Sequence, residues 1–386
     1  MKKRIIAGVT GIRSEYDIIS SVFKKIQEHP QLQLKMIVTG AHLSDTYGHT
    51  IDEIKDDGFE IADAIESLIN GDSNSSRLKG LAVQLSGLIQ SITRINPDFL
   101  LVLGDREEAM TTALAGAYMN IPVAHIGGGD RVVGNVDDQI RHAVTKLAHL
   151  HFTTNEESCQ RILNLGEQPF RVFNFGNPGL DRLIATPNLS SRELSDRLGF
   201  EIIEDEPLIL LIQHIISTET NDAYKQIKTT LEAVAELKVK TIISYPNSDA
   251  GSQKIIKALR EYQHLSFIHM EKNIPRLVFV NIMRKAGCML GNSSAGILEA
   301  PLLKLPVINV GNRQKGRLHA ENVQFVAHDV KAITAAVKKA LFDKSYRKAV
   351  SHCSNPYGDG SSAQKIVNLL ATIPIDTQLL IKDITY

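Results

Sequence analysis

Short apolar runs rich in Val, Ile and Leu recur along the chain, and each is followed by a stretch in which apolar positions return at helical spacing. This alternation is the mark of a parallel sheet covered on both faces by helices. In the first half it predicts strands at Ile5–Thr10, Leu34–Thr39, Phe99–Leu103, Pro122–Ile126 and Leu150–Thr153. Helices are expected near Ser14–Gln27, Ser76–Ile95, Glu107–Met119 and Asp137–Leu147. The pattern loosens around Asn177-Pro178-Gly179 and from Pro187 to Gly199, and a second series begins after Pro207. Strands are predicted there at Leu208–Gln213, Lys240–Ser244, Leu265–Ile268, Cys288–Leu290 and Val307–Val310. A break at Asn355-Pro356-Tyr357-Gly358 precedes a final helix from about Ser361 to Ala371. The fold class expected is α/β, with two doubly wound domains in series. The first covers residues 1–178 and is joined by a last helical segment, 358–386; the second covers 179–357.

Composition narrows the function more than the fold. The 386 residues exceed one domain of ~150 residues. Lys plus Arg equals Asp plus Glu, 43 each, so no overall field draws the protein to nucleic acid or an anionic membrane. Cys159, Cys288 and Cys353 are odd in number and far apart, which argues against a disulfide framework or a zinc cluster. Ile5–Val9 is too short for a signal sequence, and no apolar run approaches the ~20 residues of a membrane span. A cytoplasmic protein is expected.

In open parallel sheets ligands bind beyond the carboxyl ends of the strands, and the distinctive residues fall in those loops. Gly8-Val9-Thr10-Gly11-Ile12-Arg13 joins the first strand to the first helix, where exposed amides favour a phosphate. It lacks the dinucleotide spacing, and Leu34–Thr39 ends without the acid that would hold an adenine ribose, so NAD is not expected. A cation at a helix start is unfavourable by itself, so Arg13 should have a negative partner. Asp105 follows the strand Phe99–Leu103; it reads either as an N-cap or as a catalytic acid. Gly127-Gly128-Gly129 suggests close approach of a ligand or of backbone, and Asp130 projects beyond it. With Asp137 opening the next helix, three carboxylates converge on one sheet edge, the arrangement that acid–base chemistry needs. His149 and His151 share a strand face but have no third ligand at metal spacing, and no metal is expected.

In the second half, Gly291-Asn292-Ser293-Ser294-Ala295-Gly296 leaves a strand for a helix and presents hydroxyls and amides suited to a diphosphate. His214, Asn247, Glu299 within the following helix, and Arg313 in the glycine-flanked loop 311–317 lie on the same rim.

Three runs carry a resemblance: 136–147, with Asp137-Asp138-Gln139-Ile140-Arg141-His142; 245–252, with Tyr245-Pro246-Asn247-Ser248; and 287–294, ending Gly291-Asn292-Ser293-Ser294. Through these runs, and over nearly its whole length, the chain resembles the hydrolysing UDP-N-acetylglucosamine 2-epimerases of sialic and legionaminic acid synthesis. The resemblance implies two Rossmann-like domains facing a cleft, as in B-type glycosyltransferases. It also implies a UDP-sugar substrate, a UDP product, no metal or nicotinamide cofactor, and a homodimer or homotetramer. Elimination of UDP and hydration of a glycal would yield the free 2-epimer, with UDP-N-acetylglucosamine as first substrate and the 2,4-diacetamido-2,4,6-trideoxy sugar as alternative. By position, Arg13, His214, Ser293, Ser294 and Arg313 correspond to diphosphate ligands, Glu299 to the ribose ligand, Asn247 to a nucleotide contact, and Asp105 and Asp137 to catalytic acids. Some relatives carry glutamate at the position of Gly127 and others at that of Asp130, which leaves the third carboxylate open. A glycosyltransferase of the same architecture and a non-catalytic nucleotide-sugar sensor are the competing readings.

Overall fold

Strand β1 (Arg4–Thr10) alternates its buried side chains between two covered faces. Ile6 packs into one apolar cluster with helix Arg13–Glu28, whereas Ala7 and Val9 join another with helices Asn74–Ile95 and Glu107–Met119. Burial on both sides is what makes such strands read as continuous apolar runs. The computed structural model describes residues 3–69, 73–131, 137–216, 219–246 and 252–386. The chain folds as two compact units, Met1–Ile184 with Tyr357–Tyr386, and Ala185–Pro356.

Among the described residues, the first unit adds β2 (Leu32–Thr39), β3 (Ile61–Ile65), β4 (Phe99–Leu103), β5 (Val123–Ile126), β6 (Leu150–Thr153) and β7 (Val172–Asn174). The sheet is wholly parallel in the order β3-β2-β1-β4-β5-β6-β7. The helix Ser362–Thr372 belongs to this unit. Its first amides, those of Ser362 and Ala363, donate to the Asp181 carboxylate at 3.1 and 2.8 Å, and Ile366, Val367 and Leu370 enter the cluster of Ile6.

The second unit holds β8 (Leu208–Ile212), β9 (Lys240–Ser244), β10 (Ile268–Glu271), β11 (Cys288–Gly291), β12 (Val307–Val310) and β13 (Val323–Val326), parallel in the order β10-β9-β8-β11-β12-β13. Its core joins Ile209, Leu211, Leu290 and Ile308 to helices Ala223–Leu237 and Val330–Phe342. In β10 the strand starts at Ile268, where the apolar run Leu265–Ile268 suggests an earlier start. The amide of Ile268 donates to Leu265 O at 2.9 Å, so residues 265–268 still turn out of the preceding helix. Among the described residues no helix is long and apolar enough to cross a membrane.

Candidate active site

In the first unit the carboxyl ends of β4, β5 and β6 bring the predicted acids together. Asp105 lies two residues past β4 and is tied to the guanidinium of Arg141, which comes from helix Asp137–Leu147. The same guanidinium donates to Gly127 O at 2.5 Å, so one nearly buried cation joins Asp105 to the glycine loop after β5. Asp130, beyond that loop, is aimed by its Oδ1, which accepts from Thr154 Oγ1 at 2.6 Å and Ser158 Oγ at 2.7 Å. A side chain begun at Gly127 would meet Asp130 Oδ2 at 3.8 Å and Arg141 Nη1 at 3.7 Å. Gly127 therefore opens on the space that a carboxylate and a cation share. Burial raises the Asp105 carboxyl above its usual range, Arg141 pulls it down, and the charge of Asp137 pushes it up again. Asp105 thus shares its surroundings with a second acid and with a cation, which act on its proton in opposite directions.

The glycines of the turn after β1 lie against the chain's own side chains. A Cβ on Gly11 would fall 1.8 Å from Glu108 Oε1, and one on Gly8 would fall 2.4 Å from the Phe23 ring. These glycines make room for the chain's own groups, and the group beside Gly11 is itself an acid. Burial raises the carboxyls of both Glu108 and Glu15, which repel each other. Arg13 has the negative partner expected of it, Glu53 Oε2 at 3.2 Å, and remains largely exposed. Neither Glu15 nor Glu108 stands out in the sequence, because a glutamate in the first turn of a helix reads as a dipole partner.

In the second unit one residue, through its side chain and its carbonyl, joins three loops. Asn292, buried at 2% exposure, accepts from the His214 amide at 2.7 Å through Oδ1 and donates from Nδ2 to His214 O at 2.9 Å. Its own carbonyl accepts from Arg313 Nη1 at 3.1 Å and Gln314 Nε2 at 2.9 Å. The loops after β8, β11 and β12 are thus fixed relative to one another. Ser293 Oγ accepts from the Ala295 amide at 3.3 Å, and Ser294 opens the short helix Ala295–Leu298. Glu299 falls just past that helix, with Oε2 2.8 Å from Arg276 Nη1. The predicted contact Asn247 lies outside the described residues. Asn292 was visible in sequence only as part of a glycine-serine turn; its pairing with His214 joins residues 78 apart.

Gly291 makes this junction possible. Its φ is 122°, and a Cβ there would lie 2.0 Å from Ile212 O. Gly291→Ala is expected to destabilise the protein by at least roughly 1–3 kcal/mol, the usual cost of such a backbone. A lower urea midpoint with unchanged slope would register it, and an unchanged midpoint would contradict it.

Among the described residues no group of three His, Cys, Asp or Glu side chains is placed to hold a metal ion. His149 Nδ1 accepts from the Val123 amide at 3.1 Å, and His151 Nε2 lies 3.1 Å from Glu167. Burial pushes both imidazoles down to about 4, so they are neutral near pH 7.

The family profile described as UDP-N-acetylglucosamine 2-epimerase matches residues 24–371. A Legionella pneumophila protein named UDP-N,N'-diacetylbacillosamine 2-epimerase (hydrolyzing) is 35% identical over 379 residues, 98% of each chain. The UDP-N-acetylglucosamine 2-epimerase of Neisseria meningitidis serogroup B is 33% identical over 88% of this chain and 87% of its own. A crystal structure of UDP-GlcNAc 2-epimerase from Neisseria meningitidis bound to UDP-GlcNAc superposes with a TM-score of 0.77 at 22% identity, over 95% of this chain and 99% of that one. That likeness identifies the fold as two parallel-sheet, Rossmann-like units of the B-type glycosyltransferase kind.

Proposed function

The chain belongs to the UDP-N-acetylglucosamine 2-epimerase family, and from that premise we propose that it hydrolyses a UDP-linked 2-acetamido sugar to UDP and the free 2-epimer. The bond from C1 to the diphosphate breaks with its electron pair leaving on UDP, and a carboxylate takes the proton from C2. The resulting glycal gains hydroxide at C1 and a proton at C2 on the opposite face, so one water is consumed. Asp105, Asp130 and Asp137 supply the proton transfers. His214, Ser293, Ser294 and Arg313, with Arg13, hold the diphosphate, Asn247 contacts the nucleotide, and Glu299, oriented by Arg276, takes the ribose.

The observation that carries this reading is the convergence of Asp105 and Asp130 on Arg141 and Gly127, beside the helix that Asp137 opens. A C2 hydrogen beside an acetamido group is weakly acidic, so departure of UDP must come first. Preorganised donors at the diphosphate then contribute roughly 3–4 kcal/mol each, by analogy with oxyanion sites. For the sugar, the substrate in the name of the Legionella relative, matched over 98% of both chains, favours the 2,4-diacetamido-2,4,6-trideoxy compound; that in the name of the Neisseria relative favours UDP-N-acetylglucosamine. We take the diacetamido sugar first.

The test offers both UDP-sugars in deuterated water and follows UDP and free sugar by NMR. Release of UDP with one deuterium at C2 of the 2-epimer is expected. Intact substrate, transfer only in the presence of an acceptor, or a product protonated at C2 would each reject the reading.

A further inference from the structure

Helix Asp137–Leu147 carries Asp137 in its first turn and Arg141 one turn later, and its last carbonyls have no partner within the helix. A side chain from the other end of the sequence meets them. Lys382 Nζ donates to Thr145 O at 3.0 Å, Lys146 O at 2.9 Å and Ala148 O at 2.6 Å, and lies 2.7 Å from the Glu167 carboxylate. Cations are favoured at this end of a helix. Thr145 follows Arg141 by four residues, so the ammonium grips the helix one turn beyond the guanidinium that holds Asp105 and Gly127.

The segment that brings Lys382 there is itself anchored. Arg171, fully buried, donates to Leu379 O at 2.6 Å, Gln378 O at 2.7 Å and Ile381 O at 2.6 Å. The Thr385 amide reaches Gly166 O at 3.2 Å, and the Tyr386 ring occupies the space that a side chain on Gly166 would take. Glu167 is 1% exposed, and its neighbour His151 is neutral near pH 7. Its charge is therefore balanced by Lys382, which is 17% exposed, and by Lys146, which is 40% exposed. Breaking such a buried pair leaves an uncompensated charge.

We propose that Lys382 is a positioning residue for the reaction, setting through helix Asp137–Leu147 the places of Asp137, Arg141 and hence Asp105. This rests on the function proposed above for its kinetic arm only. Misplacing a proton-transfer group by about 1 Å can lower turnover a hundred-fold, while the residues proposed to hold the nucleotide, Arg13 apart, belong to the other unit, and Arg13 is not on helix Asp137–Leu147. Lys382→Met should therefore lower kcat roughly ten- to a hundred-fold at unchanged KM, and Lys382→Arg should restore most of it.

The experiment measures kcat and KM for wild type, both variants and the double variant Glu167→Gln with Lys382→Met, which removes both buried charges and keeps a folded protein available. Amide hydrogen exchange across 141–149 is followed in parallel and needs no substrate. Faster exchange together with a kcat defect that Arg rescues supports the proposal. Wild-type kcat in the folded methionine or double variant overturns it, as does unchanged exchange. Wild-type protein that turns over no UDP-sugar would sink the proposed function, and the exchange measurement would still decide whether Lys382 holds the helix.

Discussion

Asp105→Asn should lower kcat by roughly a hundred- to ten-thousand-fold, the range that a positioned general acid or base contributes, and leave UDP affinity unchanged. Asparagine keeps an oxygen for the Arg141 guanidinium, so the bridge from Asp105 to Gly127 O survives and the fold is preserved. What disappears is the group able to exchange a proton. Alanine would be a poorer test, because it would leave nearly buried Arg141 with only a carbonyl to face. The pH profile provides a second reading. As a base, Asp105 must be ionised, and burial raises its carboxyl, so activity should fall on the acid side at a pH above the ordinary aspartate range. That limb should be absent from the residual activity of the asparagine variant. Turnover close to wild type would remove Asp105 from the mechanism.

The interior of each sheet is legible in the sequence and its margins are not. β1, β4, β8 and β11 are covered on both faces and read as apolar runs, and a doubly wound α/β fold follows from them. β3, β7 and β13, which the apolar pattern passes over, are edge strands, as is β10, which it places too early. Edge strands are half exposed: β3 mixes Asp63 with Ala and Ile, and β10 carries His269 and Glu271. Burial on one face leaves too weak a pattern to tell strand from turn.

The site shows the same division. Acids placed directly after a strand, such as Asp105 and Asp130, announce themselves because parallel sheets put chemistry there. Groups that act by holding others do not. Arg141 looks like an ordinary surface charge of an amphipathic helix until its guanidinium is seen between Asp105 and Gly127 O. Lys382 lies more than 230 residues from the carbonyls it meets. The glycines after β1 do not by themselves reveal the carboxylate packed beside them, since small residues suit a phosphate and a packed carboxylate equally well.

Asn292→Ala should raise KM for the UDP-sugar on the order of ten- to a hundred-fold, with a smaller fall in kcat. The argument begins with the two bonds to the backbone of His214, at 2.7 and 2.9 Å, both lost on truncation. A buried donor or acceptor left unmade costs about 1–3 kcal/mol, and here one of each is exposed together. The Asn292 carbonyl stays, so Arg313 and Gln314 keep an acceptor, and the Asn292 amide still meets Ile212 O at 3.0 Å, but the two side-chain bonds that tie this acceptor to His214 itself are gone. If His214 and Arg313 hold the diphosphate as proposed, affinity depends on their being in place before the ligand arrives, and loops that must be ordered on binding subtract from it. Asn292→Asp should be nearly as damaging, because a carboxylate oxygen would then face His214 O where an amide donor is required. Calorimetry with UDP alone isolates this effect from proton transfer. UDP binding should weaken in both Asn292 variants and stay unchanged in Asp105→Asn, and wild-type affinity in Asn292→Ala would show that the three loops hold their places without it.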